Sequence, residues 1–224
     1  MISAATLQII AIISMTIDHI GYYLVPDCWP LRVIGRIAFP IFAFMLVEGF
    51  KHTHSRSKYF ARLLVTALVA QVLFYISAQC FGARYYHNVV FTLAFAFVSL
   101  ICAEQGGFFL VGIPLLVLAA GAFECEYGAY GVLVIVLFYY SDKLFKNNRF
   151  LCVMAQAISL VAMMSSVALE SGWLVQVYSF FAIIPIALYS GKKGRRLPRL
   201  FGYVYYPAHI AIFLLIKAFL VLPS

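Results

Sequence analysis

The chain has 224 residues, 65% of them hydrophobic and only 11% charged, with a formal net charge of +8. Soluble domains carry about 25% charged residues, and no polar stretch here exceeds about a dozen residues, the scale of a single loop. These values leave no room for a separate soluble domain and predict one all-α, polytopic membrane helical bundle spanning residues 1–224.

In chain order, nine apolar segments reach or approach the ~20 residues that cross a hydrocarbon core: 4–25, 33–50, 60–80, 88–104, 107–123, 127–140, 150–169, 173–190 and 202–222. Met1 leads almost directly into the first segment without a basic region or a small-residue cleavage site, so that segment is expected to be retained. The sixth segment is short, and only "EQGG" divides the fourth from the fifth, so eight or ten crossings also fit. Three basic clusters hold 12 of the 16 Lys and Arg residues. They are Lys51, Arg56, Lys58 and Arg62; Lys143, Lys146 and Arg149; and Lys192, Lys193, Arg195, Arg196 and Arg199. With nine crossings all three fall on one side, and the opposite loops carry Asp27, Glu124, Glu126 and Glu170. Cytoplasmic loops concentrate Lys and Arg, so the N-terminus is expected in the cytoplasm and the C-terminus outside. Orientation and contact with anionic lipid head groups then account for the net charge, and no nucleic-acid partner is expected.

The first segment contains "ISMTIDHIGYYL". Asp18 and His19 lie roughly 9 to 11 Å below its outer end, where a formal charge costs at least ~2.5 to 3.5 kcal/mol. The second segment, "RVIGRIAFPIFAFMLVEGF", brings Arg36 to a similar depth, and an Asp18–Arg36 ion pair is the simplest way to offset both penalties. Adjacent helical residues point ~100° apart, so contact between Asp18 and His19 stays open. His19 suits either a hydrogen-bonded core position or proton transfer near neutral pH. His209, two residues after Pro207 in "FGYVYYPAHIAIF", is a second intramembrane histidine. By residue count it lies about 10 Å nearer the cytoplasm than His19.

The hairpin "EGFKHTHSRSKYFARL" follows the second segment. His52 and His54 alternate there, but only Glu48 stands nearby to complete a ligand set, so no metal is expected. The five cysteines show no CxxC spacing, and buried thiols are the simpler reading. Lys51, Arg56, Lys58 and Arg62 suit the phosphates of a cytoplasmic ligand, and Glu48 is placed to pair with Arg62. On the outer side, Asn88 and Thr92 in "YYHNVVFTLAFAF" and Glu126 in "FECEYGAYG" are weaker candidates for an external mouth.

"AIISMTIDHIGYYL" followed by "LRVIGRIAFPIFAFMLVEGFKHTHSRSKYFARLLV" resembles the TraX family, named for the conjugative-plasmid protein that acetylates the N-terminus of F pilin. The likeness is densest over residues 5–75, and "FTLAFAF", "EYGAYG" and "YVYYPAHIAIF" are similar to weaker family positions. The family is related to integral-membrane acyltransferases with an important histidine in an early helix. The resemblance points to Asp18, His19, Arg36, Glu48, Arg62 and His209. It implies acyl transfer, chiefly acetyl, from cytoplasmic acyl-CoA to an amine or hydroxyl of an exported protein N-terminus, a glycan or a lipid, in a multi-pass protein of the inner membrane. His19 is then the expected general base, with Asp18 and Arg36 positioning it or stabilising charge on the carbonyl oxygen. His209 is expected to line the donor's path, Glu48, Lys51, His52 and Arg62 to hold the donor, and Asn88, Thr92 and Glu126 the acceptor. Without the resemblance, Asp18, His19 and His209 equally suit a proton-coupled transporter or channel, and a noncatalytic assembly subunit also stays open.

Overall fold

The computed structural model describes the backbone of residues 1–171, 174–195, 198 and 200–221, and their side chains except at 167, 168, 170, 171 and 221. Arg196 and Arg199 of the third basic cluster, the Glu170 side chain, and the outermost residues 173 and 222 of the last two expected segments lie outside these. The described chain is helical, with isolated bridges but no strand among the described residues. Its helices are α1 (Ala4–Tyr23), α2 (Trp29–Gly35), α3 (Ala38–His52), α4 (Arg56–Phe81), α5 (Val89–Gln105), α6 (Gly112–Ala122), α7 (Gly128–Leu144), α8 (Arg149–Ser171), α9 (Ile183–Ala187) and α10 (Phe201–Val221), with 3-10 turns at Gly107–Val111 and Leu174–Ala182.

Among the described residues, five helical stretches are long and apolar enough to cross a membrane: Ala4–Tyr23, Trp29–His52, Arg56–Phe81, Arg149–Ser166 and Phe201–Leu220. The protein is thus a membrane helical bundle. Val89–Gln105, Gly107–Ala122 and Leu174–Ala187 are shorter apolar helices. The faces turned away from the bundle are apolar, with Val65, Leu68, Val69 and Val72 on α4, Ile158 and Val161 on α8, and Ile212, Leu215 and Phe219 on α10 exposed. Such faces suit hydrocarbon rather than water.

Side-chain caps fix where several helices begin. The Ser3 hydroxyl accepts from the Thr6 amide, Ser55 from Lys58, and Asn88 from Val90, satisfying amides that have no partner within the first turn. α4 ends on Gly82 in the left-handed region (φ 63°), the usual glycine C-cap. The second expected segment begins earlier than 33, at Trp29, and is broken at Arg36 and Ile37. Pro40 explains the break: its ring excludes the carbonyl of the residue four before it, which is Arg36.

α3 is the central post. It packs on α1, α5 and α7, and its Phe44, Leu46, Val47 and Phe50 join Leu7, Phe97, Leu100, Ile135 and Phe138 in the buried core. α10 closes the bundle by packing on both α1 and α4. Residues 2–5 are hydrogen-bonded to the segment before α10, with Ile2 N donating to Leu188 O (2.8 Å), Ala4 N to Lys192 O (2.9 Å) and Ala5 N to Lys193 O (3.1 Å). This attachment sets the register between the first and last helices.

Candidate functional site

Asp18 is buried on α1, and its carboxylate receives two guanidinium groups. Arg36 Nη2 donates to Oδ1, and Arg32 Nη1 lies 3.2 Å from Oδ2 while also donating to the Asp18 carbonyl (3.0 Å). The expected Asp18–Arg36 pair is therefore present, and Arg32 joins it unforeseen. Arg36 sits at the α2–α3 break, where its remaining donors reach the Arg32 carbonyl (3.1 Å), Gln176 Oε1 (3.1 Å) and the Tyr127 hydroxyl (3.4 Å). Two features let α1 approach that break. Ser14 Oγ donates to Ile34 O (2.7 Å), and Gly35 has no side chain, where a Cβ would overlap the Asp18 carboxylate.

His19 turns to α10. Its Nδ1 lies 2.5 Å from His209 Nε2, and the two rings stack at 4.8 Å and 12°. This corrects the depth expected for His209. The residue count assumed that the first and last helices start at one level, but Ala4 and Ala5 bond to Lys192 and Lys193, so α10 starts further along α1. Thr16 Oγ1 to Tyr205 Oη (2.7 Å) holds the same register.

The contacts also assign the tautomers. His209 Nδ1 lies 2.8 Å from the Tyr205 carbonyl, which only accepts, so Nδ1 carries the proton. Neutral His209 then accepts at Nε2, and His19 must donate from Nδ1. The proton-free nitrogen of His19 is Nε2, free to act as a base.

Three cavities lie along α1 on either side of this pair, and neither histidine of the pair is in their walls. A basic cleft of about 620 Å³ is walled by Gln8, Met45, His52, His54, Lys58, Arg62 and Lys193. Gln8 and Met45 also line an inner cavity of about 260 Å³, mostly apolar, which reaches Met15, Thr66 and Tyr206. At the other end, a cavity of about 930 Å³ is lined by Gly21, Tyr22, Arg32, Arg36, Arg84, Glu126 and Gln176 among others. α1 thus gives Gln8 and Met15 to one side and Gly21 and Tyr22 to the other, with His19 between them.

Of the residues expected to hold a donor or its phosphates, His52, Lys58 and Arg62 line the cleft, joined by His54 and Lys193. Glu48 does not meet Arg62. It pairs with Lys51 and accepts from Tyr189 (3.2 Å), and Lys51 also bridges to Asp142 (2.8 Å). Lys51 wins because it lies one turn along the same helix face, while the Arg62 guanidinium lies against the Tyr59 and Tyr203 rings, 5.6 Å from each centroid. Arg56 is held by Glu104 on α5.

Among the expected acceptor residues, Asn88 is fully buried and occupied: it caps α5 and donates to Ala67 O and Gln71 Oε1, both at 2.9 Å. Thr92 donates to the Glu126 carbonyl. Of the three, Glu126 alone lines the outer cavity. It sits in the loop between α6 and α7, which carries two non-glycine residues with left-handed backbone, Glu124 (φ 47°) and Tyr127 (φ 62°), a conformation that costs energy and concentrates at functional sites. Burial pushes the Glu126 carboxyl up to about 7, with the Arg36 guanidinium opposing the rise. Arg32 and Lys193 carried a signal as cations near the candidate residues, whereas Tyr206 and Gln176 carried none, since either is unremarkable in an apolar helix.

The family model described as "TraX protein" matches residues 3–217. The "Probable fimbrial assembly protein FimC, serogroup H1" of Dichelobacter nodosus is 30% identical over 241 residues, covering 97% of this chain and 97% of that protein. "Protein TraX" of Escherichia coli is 27% identical over 221 residues, covering 92% and 84%. No solved structure matches the chain.

Proposed function

This chain belongs to the TraX family, and from that premise we propose that it is an inner-membrane acyltransferase that moves an acyl group, chiefly acetyl, from coenzyme A to an amine or hydroxyl. The observation that carries this reading is the sequence of spaces along α1. A cleft with Lys58, Arg62 and Lys193 in its wall suits the phosphates of coenzyme A. The inner cavity, sharing Gln8 and Met45 with that cleft, suits its uncharged acyl-bearing arm. The His19–His209 pair stands beyond, and the outer cavity suits the acceptor. Gathering of the basic clusters at one end favours a cytoplasmic N-terminus and cleft, with the outer cavity facing the external side.

In this mechanism His19 Nε2 takes the proton of the acceptor as its nitrogen or oxygen attacks the thioester carbonyl. His209 keeps the imidazole in the correct tautomer and shares the charge His19 gains. Asp18, held by Arg32 and Arg36, fixes the helix break beside the outer cavity rather than orienting the imidazole.

The test is purified protein in nanodiscs with isotopically labelled acetyl coenzyme A and three acceptors: a peptide with a free N-terminus, an oligosaccharide and an aminophospholipid. Mass spectrometry is expected to find one of them heavier by one acyl group with wild type and unchanged with His19→Ala. A folded His19→Ala protein with full activity removes His19 from the mechanism.

A second reading, a noncatalytic assembly subunit, draws on the name of the Dichelobacter relative. It is favoured by stable co-purification with a pilus or fimbrial component and no acyl transfer in the same assay.

A further inference from the structure

The acyltransferase reading leaves one buried polar atom beside the histidine pair without a use. Tyr206 is 6% exposed; the Val89 amide is the group nearest to partnering its hydroxyl, and neither that contact nor any other meets ordinary hydrogen-bond geometry. An unmade hydrogen bond in an apolar wall is costly, and such a group in a folded protein calls for an explanation. Tyr206 lines the inner cavity, and its ring centroid lies 6.5 Å from that of His19 and 5.7 Å from that of His209. The other two tyrosines of that cavity, Tyr59 and Tyr203, lie against the Arg62 guanidinium at the cleft end. Along α10, Tyr203, Tyr206 and His209 follow at three-residue steps, running from the Arg62 guanidinium to the histidine pair.

We propose that Tyr206 is a catalytic residue whose hydroxyl donates a hydrogen bond to the acyl carbonyl oxygen as negative charge develops on it. The inference rests on the acyltransferase reading. In the step, the acceptor's lone pair forms a bond to the carbonyl carbon, the carbonyl π pair moves to oxygen, and Tyr206 stabilises that oxygen while keeping its own proton. His19 Nε2 takes the acceptor's proton. When the carbonyl re-forms, the carbon–sulfur bond breaks, and the departing thiolate receives the proton from His19, giving acylated acceptor and free coenzyme A. A neutral donor in a dry wall suits this role, because it needs no reorganisation as charge appears.

Tyr206→Phe removes only the hydroxyl. With folding verified by a melting temperature at or above that of wild type, kcat is expected to fall roughly 10²- to 10³-fold, while KM for acetyl coenzyme A moves little. A second measurement is independent of turnover. In the His19→Ala background, the infrared carbonyl stretch of bound ¹³C-acetyl coenzyme A should lie lower than in solution and return toward the solution value when Tyr206→Phe is added. A Tyr206→Phe protein with kcat within twofold of wild type, or a carbonyl stretch unmoved by that substitution, overturns the proposal while leaving acyl transfer intact. Wild-type protein that acylates no acceptor and releases no coenzyme A overturns the acyltransferase reading and this proposal with it.

Discussion

His19 Nδ1 and His209 Nε2 meet at 2.5 Å, joining the first helix to the last across 190 positions of sequence. The contact is directional, because the Tyr205 carbonyl fixes the proton on the far nitrogen of His209. His19→Ala should lower acyl transfer by about 10² to 10⁴, the range for loss of a general base. His209→Ala should cost roughly 10- to 100-fold, as for other groups that fix a histidine's tautomer. His209→Gln, whose side-chain carbonyl can still accept from His19 Nδ1, should recover part of that loss. Steady-state kinetics of the three proteins decide it, and equal activity of His209→Ala and wild type would remove the tautomer argument.

The Asp18 cluster predicts an asymmetry in stability. Asp18→Asn leaves two guanidinium groups facing a neutral amide in a buried setting, and breaking one side of such a pair costs about 3 to 5 kcal/mol. Gly35→Ala attacks the same contact by crowding, with an expected cost of roughly 1 to 3 kcal/mol. Thermal melts in one detergent should rank wild type above Gly35→Ala, and that above Asp18→Asn. A melt for Asp18→Asn as high as wild type would refute the structural role given to Asp18.

Glu126 sets a pH dependence outside the spans. Its carboxyl, ordinarily near 4.5, titrates at about 7 in the folded protein and so binds its proton more tightly when folded. The resulting stabilisation is fully present below the unfolded value, declines as pH rises through that window and is lost above about pH 7, by up to ~3 kcal/mol. Melting temperature should fall between about pH 5 and 8 in wild type, and Glu126→Gln should flatten that slope. Identical slopes would argue against the raised value.

The basic cleft makes a prediction about binding alone. Arg62→Gln and Lys193→Gln should each raise KM for acyl coenzyme A about tenfold, a hydrogen bond to a charged group being worth about 1.5 kcal/mol or more, with kcat nearly unchanged. Lys51→Gln should leave KM unaltered, because Lys51 is held by Glu48 and Asp142. An equal effect of all three would point to general electrostatics instead of a site.

Much of this arrangement was legible beforehand, for identifiable reasons. Charges in an apolar run must find partners, so Asp18 and Arg36 could be matched from depth alone. The helix break at Arg36 was not expected, because the stretch around Pro40 is apolar throughout and reads as one continuous span. His209 was misplaced because depth by residue count requires knowing where a helix starts, and the start of α10 is set by backbone bonds between residues 2–5 and 188–193 that leave no compositional mark. Arg62 escaped its expected partner because a same-helix lysine outcompeted it for Glu48. Tyr206 was invisible for another reason: an orphaned hydroxyl is defined by what surrounds it.

The bonding of residues 2–5 to the segment before α10 has a consequence for biogenesis. α1 leaves the ribosome well before α10, yet the backbone partner of its start lies at 188–193 and the histidine partner of its middle at 209. Translation of the intervening chain must therefore finish before the site can assemble, which places its closing contact late in folding. A nascent or truncated chain ending before α10 would hold His19 without its partner and the inner cavity without a wall.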